Sequence, residues 1–225
     1  MTEKRAFHHL PIRILLLPVC FTIMAFGVAF SIKAGLGTSP ISSVPYVTSE
    51  ISGLSVGVTT IIMNVLFVLI QILILRKRYE WFQLLQIPAS IFFGLMIDVA
   101  EMALEGIPVP NYFVQWLLCI AGIVLLALGV SMEVMVNLIT NAGEGIVLAI
   151  CQVFPKLKFS YMKVAFDVTL VLLSIILSFA FLGQLVGVRE GTIAAAIFVG
   201  LVTKVFKKPL TLLKESFLDR ERKQA

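Results

Sequence analysis

The chain has 225 residues, of which 59% are hydrophobic and only 14% are charged, and its mean hydropathy is +1.02. These values lie outside the range of soluble globular domains and indicate an integral membrane protein. A formal net charge of +5 would suggest nucleic-acid binding in a soluble protein, but here the basic residues occupy short loops and tails, where they report topology. We therefore expect a lipid bilayer as the partner and no nucleic acid.

Six apolar stretches are long enough to cross a hydrocarbon core of about 30 Å. In chain order they cover residues 14–34, 56–75, 84–105, 112–134, 160–182 and 189–206. The first follows basic residues, as a signal peptide would, but it is too long and lacks a cleavage site, so we expect a span. Two further segments, 37–53 and 137–154, are apolar but short and interrupted by Gly, Pro, Asn and Ser.

The charges decide how the two short segments are arranged. If both enter and leave the membrane on one side, every Lys and Arg except Lys33 and Arg189 falls on a single face. The opposite face then receives the acidic residues Asp98, Glu101 and Glu105. If the short segments crossed instead, the basic run 76–78 would be exported, against the positive-inside rule. We predict an all-α protein with six spans, two re-entrant half-helices and both termini in the cytoplasm.

The second half of the chain resembles the first at an offset of roughly 100 residues, which indicates an internal duplication. Residues 128–131 echo 26–29, and Asp167 falls where Asn64 would. Three spans per copy is an odd number, so the second copy must run inverted, as in many transporters. The predicted parts are an N-terminal tail (1–13), a first repeat (14–106), an inverted second repeat (107–208) and a C-terminal tail (209–225).

Each short segment contains a helix-start signal. In the first, glycines allow a tight turn before Thr38, Ser39 can cap a helix and Pro40 fits the first helical position. In the second, Asn141 can cap, with Glu144 three residues later as in a capping box. Half-helices that begin at the midplane would direct positive ends and free N–H groups toward a cavity. The alternative is a pair of ordinary interfacial loops that lead into capped helices.

Asp167 is the most informative single residue, about 10 Å into the fifth span at 1.5 Å per residue. A carboxylate at that depth usually faces the bundle interior or a cavity, which predicts a role in proton or cation coupling. The alternative is that Lys163, four residues earlier on the same helical face, pairs with Asp167 and draws it toward the interface.

Other charged and sulfur-containing residues receive weaker assignments. Arg189 and Glu190 open the sixth span and could line the mouth of a pathway, or they lie among the headgroups with Glu190 favoured at a helix start. Glu50 and Glu133 lie near span ends, so we expect both to be solvated. The three scattered cysteines predict neither a disulfide framework nor a metal site, and we expect no cofactor.

The segments Gly35–Pro40, Asn141–Gly145 and Val188–Thr192 resemble the bacterial YczE/YitT-like integral membrane proteins, and more narrowly the YczE-type branch, over about residues 14–206. Many relatives have an aromatic–acidic pair after the proline, where this chain has Ile41 and Ser42. Any role of that acid is therefore not carried over. The resemblance implies a multi-pass protein of the bacterial cytoplasmic (inner) membrane and identifies no substrate.

We expect a small secondary transporter or channel for an anionic or polar small solute or ion, with its site between the repeats. The expected binding residues are Thr38, Ser39, Asn64, Asn141, Glu144 and Asp167. The alternatives are a substrate-capturing subunit of a larger transport complex and a membrane helper protein without transport activity. We expect no enzyme, because the sequence has no metal-binding helix, nucleophile elbow or phosphate loop. Gly53 and Gly57 at helical spacing are compatible with a homo-oligomer.

Overall fold

The structure is a computed structural model that describes residues 10–213 of the chain, and every regular element in this range is helical. In chain order the helices are α1 (Leu10–Ala34), α2 (Pro40–Ser52), α3 (Val56–Leu75), α4 (Gln86–Leu104), α5 (Tyr112–Val136), α6 (Ala142–Val153), α7 (Phe159–Leu177) and α8 (Glu190–Leu213). Two 3-10 turns, 76–78 and 81–85, connect α3 to α4, and a π-helical turn over 178–182 extends α7.

Five helical segments among the described residues are long and apolar enough to cross a membrane. They are Leu10–Ala34, Val56–Arg78, Trp81–Leu104, Tyr112–Val136 and Phe159–Leu182. These segments coincide with the first five predicted spans and support a multi-pass membrane protein. The sixth predicted span lies in α8, which contains Glu190, Lys204 and Lys207 and is not among the five. The six-span arrangement therefore stays a prediction.

The two short helices begin at the predicted residues. Pro40 is the first residue of α2 and Ser39 its N-cap, although the Ser39 hydroxyl donates to Ser42 Oγ at 3.0 Å instead of capping the helix. The α6 helix begins after Asn141, whose side chain does cap by accepting from the Gly143 N–H at 3.3 Å. At 1.5 Å per residue each short helix is roughly 20 Å long, which is less than the thickness of a hydrocarbon core.

Packing follows a regular plan around a central antiparallel pair, α1 and α5. The α1 helix also packs on α4, as α5 does on α8, and α3 packs on α6, as α7 does on α2. One pair of helices differs in this plan. The α3 helix packs closely on α4, whereas α7 and α8 make at most marginal contact within the described residues.

Glycines let the α1 and α5 backbones approach closely. A Cβ atom added to Gly27 would lie 2.7 Å from the Leu126 backbone nitrogen, and one added to Gly129 would collide with the Met24 side chain. Small residues at such crossings let helices associate in a bilayer, where no hydrophobic effect draws them together. We call this contact the α1–α5 seam.

The contact between α3 and α4 is equally close where α3 begins. A Cβ on Gly94 would lie 2.5 Å from the Gly57 carbonyl oxygen. Asp98 of α4 accepts hydrogen bonds from the Ser55 hydroxyl and the Gly57 N–H, both at 2.7 Å. This carboxylate therefore caps α3 from a neighbouring helix and holds the two helices together.

Candidate functional site

The glycine-rich turn Gly35–Pro40 contacts the segment Gly187–Thr192, so two of the segments distinguished in the sequence form one structural unit. The Thr38 N–H donates to the Gly187 carbonyl at 3.0 Å. A second backbone bond of 2.7 Å runs from Gly191 to the carbonyl of Leu36. We call this contact the sealed junction.

Side chains and a special backbone conformation reinforce the sealed junction. Gly37 has a φ of +93°, and a Cβ there would lie 2.6 Å from the Arg189 backbone nitrogen, so both conformation and space require glycine. The Arg189 guanidinium donates to the Gly35 carbonyl at 2.9 Å and pairs with Glu190 at 3.1 Å. Arg189 and Glu190 are about half exposed and hold this junction at the surface. Their predicted mouth-lining role is not tested by these contacts.

A small cavity of about 10 Å³ lies where α1, α3 and α4 meet the start of α6. This volume suffices for roughly one water molecule. Its polar lining consists of Asn64, Gln86, Ser90, Thr140 and Asn141, and the rings of Phe21 and Phe93 contribute to its apolar lining. We call it the Asn64 cavity.

Asn64 is the distinctive group of this cavity. Its side chain is 3% exposed, and none of the hydrogen bonds within residues 10–213 involves its amide. The amide lines a space large enough for about one water molecule, which can replace part of its lost hydration. The Asn64 amide is therefore free to bind an occupant of the cavity. Asn141, which caps α6, lines the same space.

A groove of about 60 Å³ adjoins the Asn64 cavity and shares Gln86, Ile139 and Thr140 with it. The groove continues between α4 and α6 as far as Gln83 and Gln152. It points toward the ends of the helices that carry the basic run 76–78.

The first turns of the two short helices contact each other. The Ile41 side chain fills the space that a Cβ on Gly143 would need, and each of these residues is the second of its helix. The two short segments therefore contact each other through the second residues of their helices. Alanine at position 143 would collide with Ile41.

A wider cleft of about 320 Å³ opens between α1 and α4 at the other end of the molecule. Lys33, Glu101 and Glu105 contribute its charged lining. The Lys33 ammonium donates to the Glu105 backbone carbonyl at 2.8 Å, so its charge partly balances the acidic rim.

The predicted binding residues do not all meet. Asn64 and Asn141 share the Asn64 cavity, whereas Thr38 and Ser39 are buried in the sealed junction at 1% and 6% exposure. Their hydroxyls contact neighbouring residues of the same turn, Thr38 donating to the Ser39 carbonyl at 3.3 Å.

Asp167 adopts the alternative arrangement considered for it. Its carboxylate pairs with Lys163 at 2.7 Å, and the two side chains are 22% and 26% exposed. Asp167 does not line the Asn64 cavity. Glu144 is partly buried, and the charges close enough to act on it include those of Lys163, Asp167 and Lys207.

The prediction that Glu133 is solvated is wrong. Its side chain is 3% exposed, and Oε1 accepts a hydrogen bond from the Asn141 N–H. The prediction that Glu144 accepts the Asn141 N–H in a capping box is also wrong, because Glu133 accepts this hydrogen bond. The physical reason is a chain reversal at Asn137, which has a φ of 47° and brings residue 141 back onto α5. Glu50, by contrast, is exposed as predicted.

Residues 11–208 match a family described as a family of unknown function (DUF6198). The chain belongs to this family. A curated relative, "Uncharacterized protein YyaS" of Bacillus subtilis (strain 168), is 25% identical over 203 residues, which is 89% of this chain and 94% of the relative. No solved structure matches the chain. The bacterial, functionally unassigned character expected from the resemblance is therefore shown, and the YczE-type branch stays a prediction.

For this member of DUF6198, sequence reasoning missed Glu133 as a site residue. The sequence did contain a signal for it. Glu133 lies in the last turn of an apolar span, and the Asn-containing segment 137–141 that follows can fold back onto that turn. Among the described residues, no group of three or more His, Cys, Asp or Glu side chains could hold a metal ion. The candidate site therefore consists of amide, hydroxyl and carboxyl groups.

Proposed function

We propose that this protein is a secondary transporter for a small polar solute, built from two inverted repeats of three spans and one half-helix. One observation carries the proposal. The first turns of α2 and α6 meet beside a cavity lined by the buried amide of Asn64, which has no hydrogen-bond partner among residues 10–213. Half-helices that begin at the interface of two repeats are a recurrent way to build a transport site.

The α1–α5 seam supports the inverted repeat. Adding 102 to a residue number converts Gly27 to Gly129 and Met24 to Leu126. Gly27 meets Leu126, and its counterpart Gly129 meets Met24, so the contact is reciprocal. Because the two helices run antiparallel, the twofold axis that relates them is perpendicular to both and lies in the membrane plane.

The same relation recurs at the short helices. Adding 102 to Ile41 gives Gly143, its contact partner, which puts the axis between the two first turns. A looser parallel, without exact +102 counterparts, is that a polar side chain of α3 and one of α7 each donate to a carbonyl near the start of a short helix. Gln71 donates to the Ala142 carbonyl at 3.0 Å, and Ser174 donates to that of Ser43 at 3.2 Å.

Two departures from this symmetry support a state that is open toward one side. The sealed junction is closed by backbone hydrogen bonds, whereas its counterpart, 137–142 against 85–90, contains the Asn64 cavity and the groove. Likewise α3 and α4 pack closely, whereas α7 and α8 do not. The groove lies on the face rich in Lys and Arg, so the proposed state faces the cytoplasm.

The lining of the Asn64 cavity favours a class of solute. The amides of Asn64, Gln86 and Asn141 offer both donors and acceptors, and the carboxyl of Glu133 lies behind Asn141. We therefore propose a small polar solute with several hydrogen-bonding groups.

Flux measurements on the purified protein in liposomes test the proposal, using a panel of small polar solutes and no added partner. We expect uptake by the wild type and a loss of about tenfold in Asn64→Leu, the equivalent of roughly one hydrogen bond to the solute. Gln184→Leu is the matched control, because it removes an exposed amide far from the cavity. Absence of flux for every solute would favour the partner-dependent subunit.

The topology is tested separately with single cysteines in a variant whose three natural cysteines are replaced. An impermeant thiol reagent is expected to label positions 35 and 54 from one side of the membrane and position 77 from the other. Labelling of 35 and 54 from opposite sides would mean that α2 crosses the membrane, and the inverted-repeat arrangement would then be wrong.

A further inference from the structure

Glu133 is a buried acid for which the proposed solute path assigns no role. It lies in the last turn of α5 with its side chain 3% exposed. The buried side chains around this turn form an apolar cluster that includes Cys20, Val136 and Leu138. A carboxyl group in such surroundings is costly and, inside membrane proteins, commonly functional.

The two oxygens of Glu133 differ in their contacts. Oε1 accepts from the Asn141 N–H, whereas Oε2 is buried without any hydrogen-bond partner in the described part of the chain. An ionised carboxylate would leave that second oxygen without compensation, at a cost of several kcal/mol. A proton on Oε2 removes the charge, and the Asn141 bond to Oε1 is kept.

The groups around Glu133 add no compensating positive charge at Oε2. Cys20 of α1 and Glu144 of α6 are the titratable groups whose charges interact with it. Arg13, also of α1, donates to a backbone carbonyl three residues beyond Glu133. From α8, the charge of Lys207 acts on Glu144. The two titratable groups that interact with Glu133 by charge are thus an acid and a thiol, neither of which stabilises a carboxylate.

Three carboxyl groups that interact by charge differ stepwise in their exposure. Asp167 is 22% exposed, Glu144 is partly buried and Glu133 is buried. The charge of Asp167 acts on Glu144, and that of Glu144 acts on Glu133. Graded acids of this kind form proton relays in pumps and transporters. Glu133 also contacts Asn141, which lines the Asn64 cavity, so the inner end of the series touches the proposed solute site.

We propose that Glu133 is a proton-binding site that links proton movement to solute binding through Asn141. Loss of the proton strengthens the Glu133 bond to the Asn141 N–H, because an ionised acceptor binds more strongly than a neutral one. The loop at 137–141, and with it one wall of the cavity, then responds to protonation. The link to solute rests on the proposed transport function, whereas the proton site does not.

Reaction with dicyclohexylcarbodiimide, which modifies protonated carboxyls in apolar surroundings, tests the proton site in protein reconstituted into lipid nanodiscs. Peptide mass mapping over a series from about pH 5 to about pH 9 is expected to locate the label on Glu133 and to show its loss as the pH rises. The variant Glu144→Gln should lose the label at lower pH, since it removes a like charge. Glu133→Gln abolishes the label at that peptide, and Glu80→Gln, which alters an exposed acid, leaves it unchanged.

Infrared difference spectra of the wild type provide a readout that needs no variant, because a buried protonated carboxyl has a separate C=O band that shifts in D2O. Absence of both the band and the label would overturn the proton site, and suppression of the label by Na⁺ would identify a cation site instead. If the label is present but flux in liposomes ignores a proton gradient, the link fails and the proton site stands. If no solute is transported while the label titrates, only the transport proposal fails.

Discussion

Gly27→Ala tests the α1–α5 seam directly. The added methyl group would lie 2.7 Å from the Leu126 nitrogen, 2.8 Å from its Cγ and 3.0 Å from the Gly122 carbonyl oxygen. Backbone atoms cannot rotate aside, so the two helices must separate locally. Overpacking of this kind costs about 1–3 kcal/mol.

A matched control isolates that steric cost. Gly200→Ala makes the same substitution within α8, where an added Cβ would have nothing within 4 Å. Both variants gain the higher helix propensity of alanine, about 1 kcal/mol, so their difference reports packing alone. The expected gap between their melting temperatures is roughly 2–12 °C, with Gly27→Ala the lower.

Thermal melts of both purified variants in one detergent, followed by size-exclusion chromatography with fluorescence detection, measure this gap. Gly129→Ala, the reciprocal change, should also melt below Gly200→Ala, though by less, because its nearest contact is the flexible Met24 side chain. The packing argument would be refuted if Gly27→Ala melted at or above Gly200→Ala.

Three further substitutions test separate parts of the fold. Asp98→Ala removes the carboxylate cap of α3 and should lower the free energy of unfolding by about 0.5–2 kcal/mol, so an unchanged melting temperature would contradict the capping role. Asp167→Asn breaks a partly exposed ion pair and should cost no more than about 0.5 kcal/mol. Loss of pH-dependent flux in that variant would support Asp167 as the outer member of the carboxyl series that ends at Glu133. Gly37→Ala should cost about 1–3 kcal/mol more than Gly53→Ala, because both have positive φ but only Gly37 lacks space, and equal melting curves would refute this.

Local signals made much of the fold predictable. Long apolar runs located the first five candidate spans, and the proline and asparagine signals located the starts of α2 and α6 at Pro40 and Ala142. Such features depend on residues close together in the chain, which is why a single sequence carries them. The same holds for the Asp167 pair with Lys163, whose spacing of four residues made it one of two stated alternatives.

The candidate site was predictable only in part, because its contacts join distant residues. Asn64 and Asn141 were both expected, and they share one cavity. The burial of Glu133 could not be read from its neighbours, since it depends on a reversal at Asn137 that folds the following loop back onto α5. The tight closure around Thr38 likewise requires a backbone partner from the start of α8.

The reciprocal glycines of the α1–α5 seam also bear on how such a protein arises. Under the proposed repeat, the two halves derive from one ancestral half that could form the seam with a second copy of itself. In the present chain the contact has diverged, since adding 102 to Cys20 gives Gly122, where an added Cβ would lie 2.8 Å from the Gly27 carbonyl oxygen. A gene for the ancestral half would then have specified a dual-topology protein, inserted in both orientations and assembled as an antiparallel pair. Fusion of two such genes, followed by divergence of their loop charges, would fix one orientation for each half.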